Sequence, residues 1–117
     1  MSLWKSKTTK VSGILSYLDA GAEQEVFAVT GVQRGFIDGI ILDLNTITLN
    51  GTIRVYSRID GTNYRLLVSH TFTVGVDPVG VFLDMKFPAH VDFRVTYEES
   101  ADEGAARAIP YVYVLSE

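Results

Sequence analysis

The fold is decided by residues 91–98, Val91-Asp92-Phe93-Arg94-Val95-Thr96-Tyr97-Glu98, in which apolar and polar side chains alternate without interruption. A period of two puts successive side chains on opposite faces of an extended chain, so this stretch predicts a strand that is buried on one face. Similar short runs, each ended by Gly, Asn, Asp or Pro, occupy the chain from about Lys10 onward. The sequence therefore predicts an all-β protein with no clear helix.

Eight segments are predicted as strands: residues 11–18, 24–30, 36–44, 52–59, 64–74, 79–87, 91–98 and 109–115. The near-continuous apolar run at 36–44 is typical of a central strand covered on both sides. Gly39 within it indicates a bulge or a close backbone approach. The Asn50-Gly51 pair is a turn signal because both residues tolerate positive φ. Residues 99–108, which include Gly104, are predicted as a loop with at most one helical turn.

About eight short antiparallel strands favour a two-sheet β-sandwich of jelly-roll type over a closed barrel. A chain of 117 residues has the size of one domain, so we expect a single sandwich covering residues 1–117. Residues 1–9 are expected to be irregular or partly derived from an expression vector. The predicted core consists of Ile53, Val55, Val81, Leu83, Met85, Val91, Phe93, Val95 and Tyr97.

Composition excludes several classes of function. The net charge of −4 and the pI near 5.1 oppose binding to a nucleic-acid backbone. The absence of cysteine excludes disulfides and thiolate metal sites. No apolar run approaches the roughly 20 residues of a membrane-spanning helix, and the first ten residues lack the pattern of a secretory signal. We expect a protein made in the cytoplasm with neither a nucleic acid nor a membrane as partner.

The sequence indicates no catalytic or metal site and no cofactor. His70, on the inward face of a predicted strand, and His90, in a predicted turn, are the two histidines, and we expect structural roles for both. Nucleophile-elbow and phosphate-loop patterns are missing. An acidic stretch comprises Glu98, Glu99, Asp102 and Glu103. Its spacing matches no calcium-binding loop. We expect it to form a solvated loop that is paired with Arg107. We therefore predict a protein that is not an enzyme.

One predicted hairpin has an unusual outer face. If Ile59 pairs with Tyr64 across the turn at residues 60–63, all other pairings in the hairpin follow. The inner face then contains Ile53, Val55, Ser57, Ile59, Tyr64, Leu66, Val68 and His70. The outer face contains Arg54, Tyr56, Arg58, Arg65, Leu67 and Ser69.

This register places Arg58 opposite Arg65, where like charges cost energy, so acidic groups are expected nearby. Arg and Tyr are also enriched at the hot spots of protein interfaces. Two interpretations follow: either the arginines pair with carboxylates of the same chain, or the face is an interaction surface for a partner or a second copy. The candidate surface consists of Arg54, Tyr56, Arg58, Arg65 and Leu67.

Four stretches of the chain resemble small cysteine-free jelly-roll proteins found among phage and virus-like structural components. They are residues 50–56 (NGTIRVY), 59–65 (IDGTNYR), 93–97 (FRVTY) and 109–111 (IPY). That family has no catalytic residues to carry over. The resemblance implies a structural role as an oligomer on a virion surface or in a tail, with other virion proteins as further partners.

The leading hypothesis is a non-enzymatic structural protein that self-associates through edge strands or the hairpin face. The alternative is a carbohydrate-binding module, in which sugars would stack on aromatic side chains chosen from Trp4, Tyr56, Tyr64, Tyr111 and Tyr113. Because Tyr111 and Tyr113 alternate with valines in the last strand, packing is the favoured role for that pair. A third class, a small barrel or cupin-like enzyme, would need clustered His and carboxylate ligands that the sequence lacks.

Overall fold

The computed structural model describes residues 7–17, 22–101 and 103–117. These residues form nine strands and no helix, which confirms the predicted all-β class, and so they include no helix able to cross a bilayer. The strands are β1 (Thr8–Tyr17), β2 (Gln24–Val29), β3 (Phe36–Asp43), β4 (Gly51–Ser57), β5 (Arg65–Phe72), β6 (Gly80–Leu83), β7 (Phe87–Pro88), β8 (Phe93–Glu99) and β9 (Arg107–Ser116).

The strands form two antiparallel sheets, as the sandwich prediction requires. The five-stranded sheet has the order β1-β9-β3-β6, with β7 also pairing with β3, and the four-stranded sheet has the order β2-β8-β4-β5. Among these pairs only β4 and β5 are consecutive in the chain. Each sheet is therefore assembled mainly from strands that are distant in sequence.

The core lies between the inner faces of the two sheets. Seven of the nine predicted core residues are buried: Ile53, Val55, Val81, Leu83, Phe93, Val95 and Tyr97. Val91 is only half-buried, and Met85 is wrong as a core residue because it is 41% exposed. The predicted strand at 79–87 is interrupted after Leu83, where the Met85 N–H donates to the Leu83 carbonyl at 2.8 Å. This tight turn separates β6 from β7 and directs Met85 outward.

Strand β3 is central in its sheet but is covered on one side only, contrary to prediction. Ile40 and Leu42 are fully buried, whereas Ile41 between them is 42% exposed. The bulge predicted at Gly39 is confirmed, because Gly39 has a φ of 60° and the register with β9 shifts between Asp38 and Ile41. The apolar run of β3 therefore includes side chains that nothing covers among the described residues.

Gly51 is not part of a positive-φ turn, although the sequence predicted one. It is the first residue of β4 and is absent from the glycines with positive φ. A Cβ at this position would collide with the hydroxyl and ring of Tyr97, which is fully buried. Asn50 instead joins neighbouring segments: its side chain accepts the Val74 N–H and its carbonyl accepts the Ser100 N–H, both at 2.9 Å.

Strand β1 begins at Thr8, inside the segment that was predicted to be irregular. Three expectations lie outside the described residues: the form of residues 1–6 with Trp4, the end of the first strand at Leu18, and the place of Asp102.

Candidate functional site: the outer faces and edges of the sandwich

The predicted hairpin forms between β4 and β5. Its first half has the predicted register, with Ile53 opposite His70, as far as Val55. A bulge then shifts the register by one residue, and the remaining pairs are Tyr56 with Leu66 and Ser57 with Arg65. The outer face of β4 therefore carries Arg54 and Tyr56 as predicted, while the end of the hairpin differs.

The predicted opposition of Arg58 and Arg65 is wrong. Arg58 lies beyond the last β4–β5 pair, where its N–H donates to the Asp92 carbonyl at 2.9 Å and its guanidinium pairs with the Asp92 carboxylate at 3.3 Å. Arg65 pairs with Asp60 at 3.3 Å. The same shift turns Leu66 outward, so that it is 53% exposed rather than on the inner face. Arg58 and Arg65 therefore do not oppose each other, and each has an acidic partner.

Glu23, which precedes β2, is the centre of a hydrogen-bond cluster on this outer face. Its carboxylate accepts hydrogen bonds from the hydroxyls of Tyr56, at 2.6 Å, and Thr96. Arg54 lies 3.5 Å from Glu23 and 2.7 Å from Glu98. Partial burial raises the pKa of Glu23, but the hydrogen bonds from Thr96 and Tyr56 and the charge of Arg54 outweigh it, so the pKa lies below its usual value.

Arg94 connects this cluster to the end of the hairpin, and sequence reasoning missed both Arg94 and Glu23. The Arg94 guanidinium carbon lies 5.0 Å from the ring centre of Tyr56 and 4.4 Å from that of Tyr64. Arg58 also lies 4.4 Å from the ring centre of Tyr64. The alternation around Arg94 indicated an outward side chain, but nothing local indicated that β8 lies beside β4.

These contacts bear on the two interpretations of the hairpin face. Arg54, Arg58 and Arg65 each have a carboxylate partner in the same chain, so the predicted internal pairing is confirmed. Leu67 is 41% exposed at the bulge. Binding of a partner to this face stays a prediction.

The tyrosines of the carbohydrate alternative have other neighbours. Guanidinium groups lie over the rings of Tyr56 and Tyr64, where a sugar would have to stack. Tyr111 and Tyr113 stack on Phe27, with ring centres 5.3 and 4.2 Å apart, as the packing prediction expects. The geometry of these four side chains does not favour sugar binding.

The acidic stretch differs in part from its prediction. Glu103 pairs with Arg107 at 3.4 Å as predicted and accepts the Thr48 N–H at 2.9 Å. Glu99 is not solvated: it is 4% exposed, because it continues the inward alternation of β8. In the described ranges no group of three potential metal ligands is found. The histidines differ in environment, with His70 half-buried and His90 exposed.

The outer face of the five-stranded sheet is different in character. Three apolar residues form one row across neighbouring strands, since Val112 of β9 is paired with Ile41 of β3, and Ile41 with Phe82 of β6. Ile41 and Phe82 are 42% and 54% exposed. Further exposed apolar side chains on or beside this face are Ile14, Phe36 and Met85.

Among the described residues, strand β1 is an edge of this sheet, and the side of the strand that points away from β9 can be assigned. Lys7 and Glu117 exchange both backbone hydrogen bonds, and β1 then pairs with β9 over ten residues without a register shift. In an antiparallel ladder such hydrogen-bonded pairs alternate with non-hydrogen-bonded pairs. The residues whose N–H and C=O groups point away from β9 are therefore Thr8, Lys10, Ser12, Ile14 and Ser16.

Comparison with known proteins adds one structural likeness. No protein-family model matches the chain, and no curated protein matches it. A solved structure reported with the words "Bacillus endospore appendages form a novel family of disulfide-linked pili" is similar, with a TM-score of 0.61 and 14% sequence identity. The likeness covers 99% of this chain and 92% of that chain. At this identity it shows a shared fold.

Proposed function

We propose that this protein is a non-enzymatic structural subunit that assembles with copies of itself through the free edge of β1. The observation that carries the proposal is the row of outward N–H and C=O groups on this strand. An uncovered edge can pair with a strand of another molecule, and natural proteins usually block such edges with charged side chains, bulges, prolines or very short strands. Of these devices, β1 has a single charged residue, Lys10. Strand β1 is ten residues long and contains neither a bulge nor a proline.

The other edges are better protected. Strand β6 has only four residues, and both β2 and β5 contain a bulge in their pairing with the neighbouring strand. A contact in which β1 pairs with another copy's β1 closes a dimer, whereas a contact between β1 and a different edge can continue into a polymer. Strand β5, with eight residues, is the longest of the alternative edges.

The structural likeness to a pilus protein supports an assembling role, because that chain has a similar fold over nearly its whole length. The pili of that protein are described as disulfide-linked, whereas this sequence contains no cysteine. Assembly of this chain would therefore rest on noncovalent contacts such as strand pairing.

The resemblance to small jelly-roll proteins of phages supports a more specific proposal, a virion component. A capsid or tail component would form closed shells, rings or tubes, whereas a pilus-like subunit would form thin filaments. Negative-stain electron microscopy of the purified protein distinguishes these forms.

Ser12→Pro tests the edge contact. Proline is tolerated on an edge strand where the N–H faces solvent, so this change removes a donor from the free edge without breaking the ladder to β9. We expect wild-type protein and the control Ser12→Ala to form polymers that sediment, and the proline variant to remain in small species. Polymers of Ser12→Pro equal to wild type in length and amount, with folding verified by circular dichroism, would contradict the proposal, as would a strictly monomeric wild type at millimolar concentration.

A further inference from the structure

The outer face of the five-stranded sheet has exposed apolar side chains and charged side chains that form no ion pair with any residue that the structure describes. The row formed by Val112, Ile41 and Phe82 crosses three strands. A contiguous exposed apolar patch on a sheet face is a candidate interaction site. No other described element covers the row, because the four-stranded sheet packs against the opposite face.

Lys10 lies at one side of this patch, whereas the other side has a net negative charge, with two aspartates and one lysine. Lys10 projects outward from β1 and shares a transverse row with Val114 and Asp38. Beyond Asp38, where β6 and β7 leave β3, lies an open groove of about 480 Å³ lined by Asp38, Gly39, Phe82, Asp84, Met85 and Lys86. Lys86 lies over the ring of Phe36 at 4.7 Å. Within the described part of the chain, Lys10, Asp38 and Asp84 form no ion pair.

We propose that this face packs against the same face of a second copy, related by a two-fold axis that runs parallel to the strands between β9 and β3. Each residue of the second copy then lies at the same height along the strands as in the first copy, but the order of the strands across the sheet is reversed. As a result, β1 of one copy lies over β6 of the other, and β9 lies over β3. Aligned sheets pack about 10 Å apart with strand directions within about 30°. The inference rests on the proposed self-association and names a second contact for it.

The apolar side chains match under this symmetry. Val112 of each copy lies over Ile41 of the other, which places the apolar row at the centre of the contact. Ile14, 69% exposed, lies over Gly80, where the space that a Cβ would occupy is open.

The charges match as well, because Lys10 of each copy lies over the groove that contains Asp38 and Asp84 of the other. The unpaired charges thus complement each other twice. Charges of opposite sign on the two sides of a patch are what a self-complementary two-fold contact requires.

A charge exchange tests the contact. Analytical ultracentrifugation would measure dimerisation in the Ser12→Pro background, which removes edge pairing, for the otherwise unchanged protein and for Lys10→Glu, Asp84→Lys and the double variant Lys10→Glu/Asp84→Lys. We expect each single change to weaken dimerisation about tenfold, because it brings like charges together, and the double variant to recover most of the loss. If the double variant loses as much dimerisation affinity as the two single variants lose together, the proposal is overturned.

The apolar centre supplies a second test. Ile41→Gln is expected to weaken dimerisation by about tenfold or more, whereas the control Val76→Gln, at a 78% exposed position in the turn after β5, is expected to leave it unchanged. Equal effects of the two changes would contradict the proposed face, as would capture of a different protein by a face that forms no dimer.

The edge contact through β1 and the contact between sheet faces can be distinguished by these variants. Polymers that are abolished by Ser12→Pro but are indifferent to the face variants support edge pairing and overturn the face contact. A dimer that survives Ser12→Pro and responds to the charge exchange supports the face contact even if no polymer forms.

Discussion

The two sheets have similar inner faces and opposite outer faces. On the four-stranded sheet, Arg54 and Arg58 find carboxylates within the chain, and Arg94 lies over tyrosine rings. On the five-stranded sheet, Ile41 and Phe82 are exposed, and Lys10, Asp38 and Asp84 form no ion pair with a described residue. The presence of residue types that are enriched at interfaces, such as Arg and Tyr, is therefore not enough to locate an interface. What matters is whether the same chain already supplies their partners.

The largest expected effect separates the inner from the outer face of β3. Ile40→Ala should reduce the free energy of unfolding by about 2–5 kcal/mol, because a fully buried side chain is removed from the core. Ile41→Ala should change it by about 0.5 kcal/mol or less. Urea denaturation at low protein concentration measures both. Similar losses for the two variants would mean that the outer face contributes to the monomer fold.

The next largest effect is the loss of stability when a glycine beneath a tyrosine hydroxyl is replaced by alanine. Each sheet contains one such glycine. Gly51→Ala should cost about 1–3 kcal/mol, because the added methyl group meets the fully buried Tyr97. Gly13→Ala, which meets Tyr111, should cost less because that side chain is half-buried and can shift. Thermal unfolding of both variants checks this order, and the reverse order would contradict the assigned packing.

A smaller effect concerns cations on the two outer faces. Arg94→Met should destabilise the protein by about 1 kcal/mol, because it removes contacts with two tyrosine rings. Lys86→Met, the matched change on the five-stranded sheet, removes one contact with an exposed phenylalanine and should cost less. Chemical denaturation distinguishes the two. An equal cost would mean that the internal network is no stronger than an isolated surface contact.

The smallest effect is a pH dependence. Because the pKa of Glu23 lies below the ordinary 4.5, its contribution to stability is present above that pH and is lost as the pH falls through the lower folded value. Tyr56→Phe removes one donor, so the pKa of Glu23 should rise towards 4.5 and the loss of stability should become smaller. Carboxyl NMR titration measures the shift. The control Tyr64→Phe, whose hydroxyl does not contact Glu23, should leave the titration unchanged.

Local pattern predicted much of the fold because burial on one face imposes alternation along the chain. Phe93, Val95 and Tyr97 are buried as the alternation required. The bulge at Gly39 was also readable, since glycine inside a strand run is typical of one. The failures are local departures from regular pairing, which alternation does not reveal: an extra residue at Leu67 shifts the β4–β5 register beyond Val55, and a tight turn interrupts the predicted strand before Met85.

The sequence by itself determined the all-β class, most strand positions and most of the core, because these follow from the spacing of apolar residues along the chain. Only the tertiary structure decided which strands are neighbours, which charged side chains form ion pairs among the described residues, and which of the described strands lie at the sheet edges. Sheet order and coverage depend on contacts between residues far apart in sequence, for which local periodicity carries no signal. The partners of Glu23 and the isolation of Lys10 are consequences of that order.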